Sequence, residues 1–228
     1  MKSWTNLSYA NVATTSPAAH KASMEWSDAL ARGGAAEFDG EAEKNAMMPL
    51  RRAAARLLSC EVADVCVGSS ATELLCSLAW AVSPSGGSNI VSTRTAFPST
   101  VYPWSRVAEA NGAKIRLANH DEELYTNPDD ILDLIDEATS VVTLSHVEYS
   151  TGQRYDLRRF ADAAHSVGAL LVVDASQSMG MVPIDAVSSG ADAIVSSGYT
   201  WLRGTCLLYT FDAADDTPCA DLGGASPD

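Results

Sequence analysis

Between Ala169 and Trp201 the chain reads ALLVVDASQSMGMVPIDAVSSGADAIVSSGYTW. Ala169 to Val173 is a continuous apolar run, too short for a buried helix and suited to a parallel strand covered on both faces. It stops at a carboxylate, Asp174. A second run, Ala193 to Val195, stops at Ser196, Ser197 and Gly198. Two covered strands that end in polar residues predict a site along the carboxyl edge of a parallel sheet, where open α/β folds bind ligands.

The rest of the chain repeats the same grammar. A helical pattern runs from Glu41 to Leu58, with Pro49 either starting it or kinking it. A strand is expected at Val65–Val67. A helix follows over about Thr72–Val82, apolar nearly all round and so expected to be buried, with Ser70 and Glu73 at capping-box spacing. Strands are expected at Asn89–Ser92, Lys114–Leu117 and Val141–Ser145. Between them lie a loop and helix over Phe97–Gly112, stopped by Asn111-Gly112, and a helix opened by Asn127-Pro128. Asp156 is the expected cap of a helix whose inner face is Leu157, Phe160, Ala161, Ala164 and Val167. Strand and helix alternate throughout, which predicts an α/β fold, a three-layer arrangement with a mostly parallel sheet. The first forty residues have weak periodicity and read as an arm or loop-rich entry segment.

The charge balance narrows the partners. Lys and Arg total 15 against 29 Asp and Glu, a net charge of −14, which argues against nucleic acid. No apolar run approaches the length of a membrane span, and the opening residues lack the apolar core of a signal peptide. The five cysteines include no C-x-x-C pair. Cys60, Cys66 and Cys76 read as small buried hydrophobes in a reducing compartment, so the expected location is cytoplasmic. Neither G-x-G-x-x-G nor G-x-x-x-x-G-K-[ST] occurs, which leaves a nucleotide-binding domain without its motif.

The residues at the expected carboxyl ends of the strands are Ser69-Ser70-Ala71-Thr72, Phe97, Ser145-His146, Asp174 with Gln177, and Ser197 with Tyr199. Hydroxyl groups at a helix amino end suit a phosphate. A buried carboxylate needs a positive or hydrogen-bonding partner. An aromatic ring at the same edge suits a flat ligand. Pyridoxal 5′-phosphate (PLP) has all three complements, and an Asp paired with its pyridinium maintains the electron sink. Each residue also has a plainer reading. In that reading Asp174 only closes a turn, Ser70 and Thr72 only cap a helix, and Phe97 and Tyr199 only pack. His146 reads as a satisfied structural histidine, Glu148 as a solvated or hydrogen-bonded loop residue, and Arg51 and Arg52 as a solvated helix face.

The ordered segments DASQSMGMVPID, GADAIVSSGYTW, AFPSTVYPW and SHVEYSTGQRYDL resemble the class V aminotransferase family of fold-type I PLP enzymes. That family includes cysteine desulfurases, kynureninases and isopenicillin N epimerase-like proteins. The resemblance spans roughly Asn6 to Gly204. It implies that Asp174 pairs with the pyridine nitrogen and Gln177 contacts the phenolic oxygen. It further implies that Ser70, Ala71 and Thr72 hold the phosphate with help from Ser197 and Tyr199, and that Phe97 stacks on the ring. It also implies an amino-acid substrate and a homodimeric parent. One position departs. In the family the residue after Ser-Gly-Tyr is the lysine that forms the Schiff base, and here it is Thr200. Threonine has no amine to form an imine or move a proton, so the chain as written is expected to be inactive, or a non-catalytic binder on the same fold.

The end of the chain reads differently. Residues 206–228 hold five Asp and no Lys or Arg. CLLYTFDAADD resembles the translation of a transposase-type sequencing-library adapter, which implies that the natural reading frame was left near Thr205. The expected organisation is an entry segment over 1–40, an incomplete PLP-binding large domain over 41–205, and a tail over 206–228. The small C-terminal domain of the family is expected to be missing.

Overall fold

The computed structural model describes residues 8–204 and the pair 211–212. In chain order the elements are helices α1 (Pro17–Gly33), α2 (Gly40–Asn45), α3 (Met48–Leu58) and α4 (Ala71–Val82), then β1 (Asn89–Thr93), α5 (Pro98–Asn111), β2 (Lys114–Ala118), α6 (Pro128–Leu132) and β3 (Thr139–Ser145). They continue with α7 (Leu157–Ser166), β4 (Leu170–Asp174), α8 (Ala186–Ser189), β5 (Ala193–Val195) and β6 (Phe211–Asp212). The sheet order is β2-β1-β3-β4-β5-β6. The first five strands are parallel, and β6 adds an antiparallel edge.

Strand alternation builds the two faces of this sheet. Val91, Val142, Leu144, Leu171, Val173 and Ile194 face a core with α3, α6, α7 and α8. Ile90, Val141, Val172, Ala193 and Val195 face a second core, with Leu75 and Ala79 of α4 and Trp104, Val107 and Ala108 of α5. Helices on both faces make the three-layer α/β fold expected from the sequence. The same alternation carries Asp174, two residues past Val172, onto the α4–α5 side, where Thr100 of α5 meets its carboxylate. Between β1 and β3 the chain reverses its direction of progress across the sheet. Such switch points open a crevice at the carboxyl edge.

Local signals explain most element ends. Asn127 accepts the Asp129 N–H and Pro128 opens α6. Gly112 stops α5 at φ +79°, a left-handed conformation that favours glycine. Phe160 of α7 is fully buried, and its ring meets Tyr155 edge-on at 5.8 Å. Pro49 starts a helix rather than kinking one, because the helical pattern divides into α2 and α3.

Five expectations are corrected. No strand forms at 65–67, where the backbone is irregular after a 3₁₀ turn at Val62–Asp64. The entry segment contains a 17-residue helix, α1, begun by a Ser16 cap on the Ala19 N–H and by Pro17. Helix α4 is not covered all round, since Trp80 is exposed. Cys60, Cys66 and Cys76 are half-buried rather than buried, and burial followed by the charge of Asp64 pushes the Cys60 thiol up to about 11. Arg51 is also less solvated than its helix position suggested, donating to the Val62 carbonyl at 2.8 Å. Cys206, Cys219 and, apart from the pair 211–212, the tail over 206–228 lie outside the described residues.

Candidate active site

The carboxyl ends of β1, β3, β4 and β5 and the amino end of α4 converge on a cavity of about 400 Å³. Its lining includes Ser70, Ala71, Thr72, Phe97, Asp174, Gln177, Ser197, Tyr199 and Thr200. The nine residues given a cofactor or lysine-position role from the sequence therefore meet in one place; of the other strand-end residues, Ser145 also lines the cavity, and Ser69 and His146 are not among its lining residues. The volume lies within the range of small-molecule sites.

Asp174 is the last residue of β4 and is 5% exposed. Thr100 Oγ1 donates to its Oδ2 at 2.9 Å, and the Ser176 N–H donates to Oδ1 at 2.9 Å. Two donors fix the carboxylate while leaving lone pairs for a ligand. On the opposite wall, α4 begins with its cap Ser70, whose Oγ accepts the Glu73 N–H at 3.1 Å. The capping box is only half formed. The Glu73 carboxylate takes the Ser69 N–H and hydroxyl, both at 2.6 Å. Those Ser69 hydrogen bonds hold the Glu73 carboxyl below its usual range. Ala71 and Thr72, in the first turn, have N–H groups without an acceptor in their own helix. Thr72 Oγ1 pairs with Ser99 Oγ at 2.8 Å.

Ser197 Oγ is buried and has no hydrogen-bond partner among the described residues, and Ser197 lines the cavity, which suits a group placed for a ligand. The Phe97 ring meets Tyr149 edge-on at 5.2 Å and remains 43% exposed. Thr200 is buried and donates its hydroxyl to the Ser176 carbonyl at 2.7 Å. Gln177 is engaged at both ends of its amide. Its Nε2 donates to the Ala10 carbonyl at 2.8 Å, and its Oε1 accepts the Trp201 indole N–H at 3.0 Å.

These contacts expose what sequence reasoning missed. Residues 8–16 run along the cavity mouth as a strap. The Ala13 N–H donates to the Tyr199 carbonyl, the Ser16 N–H to the Arg203 carbonyl, and Arg203 Nε to the Thr14 carbonyl. The Arg203 guanidinium also sits over the Tyr9 ring at 5.5 Å. Ser8, Ala10 and Asn11 line the cavity, as do Ser99, Ser145, Val147, Tyr149 and Ser176. Nothing local signals the strap, because its partners lie more than 150 residues on. Gly180 lets the loop after β4 approach the 201–202 turn. Its φ is +86°, and a Cβ there would sit 2.9 Å from the Leu202 side chain. No cationic side chain is among the lining residues, so an anion there would rest on N–H groups and hydroxyls.

The expectation of a satisfied His146 is corrected. His146 is buried and its Nδ1 has no partner. Burial, then the positive charge of Arg154, pushes its pKa down to about 4. Of the two readings of Glu148, the hydrogen-bonded one holds: it is buried, and its Oε1 accepts the Thr93 and Thr95 hydroxyls.

Comparison with known proteins decides the lineage. The aminotransferase class-V family profile matches residues 12–217. The chain belongs to this family. Among curated relatives, this class-V chain is 33% identical over 144 residues to a probable cysteine desulfurase of Methanothermobacter thermautotrophicus, covering 61% of the chain and 36% of that protein. It is 32% identical over 188 residues to a kynureninase of Deinococcus radiodurans, covering 80% of the chain and 43% of that protein. The class-V chain thus spans less than half the length of these relatives. A cysteine desulfurase from Escherichia coli superposes with TM-score 0.77 at 23% identity, over 90% of the chain and 53% of that structure. A C-DES variant with glycine covalently linked to its PLP cofactor superposes with TM-score 0.78 at 20% identity, over 89% and 55%. At these identities the superpositions establish the class-V fold.

Proposed function

We propose that the cavity binds PLP and that the chain is the large-domain part of a PLP-dependent enzyme acting on an amino acid. The observation that carries this reading is the convergence of nine sequence-singled residues on one cavity at a switch point. The residues fit the group. Asp174 offers a fixed carboxylate to a protonated ring nitrogen. The Ala71 and Thr72 N–H groups, the Thr72 and Ser99 hydroxyls and the unpartnered Ser197 hydroxyl offer donors to a phosphate. Phe97 offers a ring face. Bound there, PLP supplies an electron sink for charge developing on an amino-acid carbon.

The chain's own residues orient and hold. Asp174 keeps the ring nitrogen protonated, since a carboxylate beside a cation favours the charged form. Gln177, engaged by Ala10 and Trp201, fixes the strap against the cavity and presents its amide to the phenolic oxygen. Thr200 occupies the family's lysine position. It has no amine, and its hydroxyl is already committed to Ser176. The chain as written therefore holds the cofactor without a covalent link and is inactive. The same observation supports the second reading, a non-catalytic PLP binder on this fold. By family analogy the parent is a cytoplasmic homodimer, and the large domain is followed by a small one.

Mixing the protein with PLP and reducing with borohydride tests the lysine position. The unaltered chain gives no covalent adduct at Thr200. Thr200→Lys gives one at residue 200. An adduct on the unaltered peptide, or none in Thr200→Lys while PLP still binds, contradicts the assignment of that position.

A further inference from the structure

The strip that leaves β3 has two sides. Ser145, Val147 and Tyr149 line the cavity. His146 and Glu148 alternate with them and are buried, at 7% and 1% exposure. The strip is held at its far edge by a bridge between Val147 and Arg154 and by the Tyr155 N–H donating to the His146 carbonyl. Glu148 extends this hold across the sheet. Its Oε1 accepts the hydroxyls of Thr93, the last residue of β1, at 3.0 Å, and of Thr95, just beyond it, at 3.2 Å. β1 and β3 flank the switch point, so one carboxyl group clasps both strand exits around the cavity.

We propose that Glu148 is a positioning residue for this pocket: pinned by Thr93 and Thr95, it fixes the strip that presents Ser145, Val147 and Tyr149 to the ligand. The remaining oxygen supports the idea. Oε2 of Glu148 and the hydroxyl of Tyr155 are both buried and lack partners of hydrogen-bonding geometry. The Tyr155 hydroxyl faces Glu148, Thr95 and Thr126. The Tyr155 phenol has a proton to donate, and Glu148 Oε2 is the acceptor beside it. Burial raises the Glu148 pKa, opposed by the hydroxyls of Thr93, Thr95 and Tyr155 and reinforced by the charge of Asp174. The groups packed around it are thus Asp174 at the end of β4, Tyr155 before α7, and the threonines. His146 and Arg154 stand beside it on the strip and its partner.

The experiment uses the full chain and PLP as its probe, and so rests on the PLP reading above. PLP affinity is measured for wild type, Glu148→Gln and Glu148→Ala. Glu148→Ala binds roughly tenfold more weakly, having lost the acceptor of two buried hydroxyls. Glu148→Gln, whose amide oxygen still accepts, binds like wild type. A Glu148→Ala protein that binds like wild type, or a Glu148→Gln protein that binds as weakly as Glu148→Ala, overturns the proposal. Amide exchange at Glu148 and Tyr155, measured without ligand, separates this proposal from the PLP reading. Exchange is faster in Glu148→Ala than in wild type, with Glu148→Gln matching wild type. Equal exchange in all three proteins overturns the proposal even where no PLP binds to any of them.

Discussion

Asp174 shows how one residue inherits its role from the strand beneath it. The run Leu171–Val173 is buried, and alternation aims the next side chain toward α5, where Thr100 waits. His146, at the end of the neighbouring strand, makes a pH prediction. The unfolded chain protonates it near its ordinary 6.5, whereas the folded chain keeps it neutral down to about 4. Its contribution to stability is therefore present above the ordinary value and is lost as pH falls through the folded one. Between pH 7 and pH 4, urea unfolding of His146→Gln should show a smaller loss of stability than wild type, by up to roughly 3 kcal/mol. At Glu73 the sign is electrostatic. Its exposed carboxylate occupies Ser69 beside the proposed phosphate seat, so Glu73→Gln should tighten PLP binding severalfold by calorimetric titration, and more at low salt. Residues such as Asp174, Ser197 and Thr72 were legible in sequence because each stands at the end of an apolar run or the start of a helix. Tyr149 and Ser99 were not, since nothing in their own segments marks the cavity they reach.

Elements repeat this pattern. The starts of α6 and α7 were legible, although Asp156 stands at the N-cap position of α7 without a side-chain capping bond, and α7 supplies Phe160 to the core. Phe160→Ala should cost about 3–5 kcal/mol in urea unfolding, because a fully buried ring leaves a cavity and an unpaired Tyr155. Helix α1 was not legible, because none of its residues is buried and hence no apolar stripe announces it. The segment Val65–Val67 misled for the opposite reason. It is apolar and Val65 is buried, yet its core contact is made by irregular backbone. At Gly180, alanine is opposed both by the left-handed backbone and by Leu202. Gly180→Ala should lower the thermal midpoint, and should weaken PLP binding through the displaced 201–202 turn.

At the scale of the whole molecule, the order β2-β1-β3-β4-β5 places the crevice before any side chain is considered. The parallel α/β plan was legible because every covered strand is a short apolar run between helical stripes. The strap over residues 8–16 was not, because Ala10 and Gln177 meet only once the sheet has brought residues 167 positions apart together. The central claim is that this crevice, with Asp174 on one wall and the α4 amino end on the other, is shaped for PLP. Titrating PLP into wild type and Asp174→Ala, with binding read by calorimetry, tests it most directly. The account predicts saturable one-site binding to wild type, weakened tenfold or more (about 1.4 kcal/mol or more) in Asp174→Ala. No binding to wild type, or equal affinity in the two proteins, would contradict it.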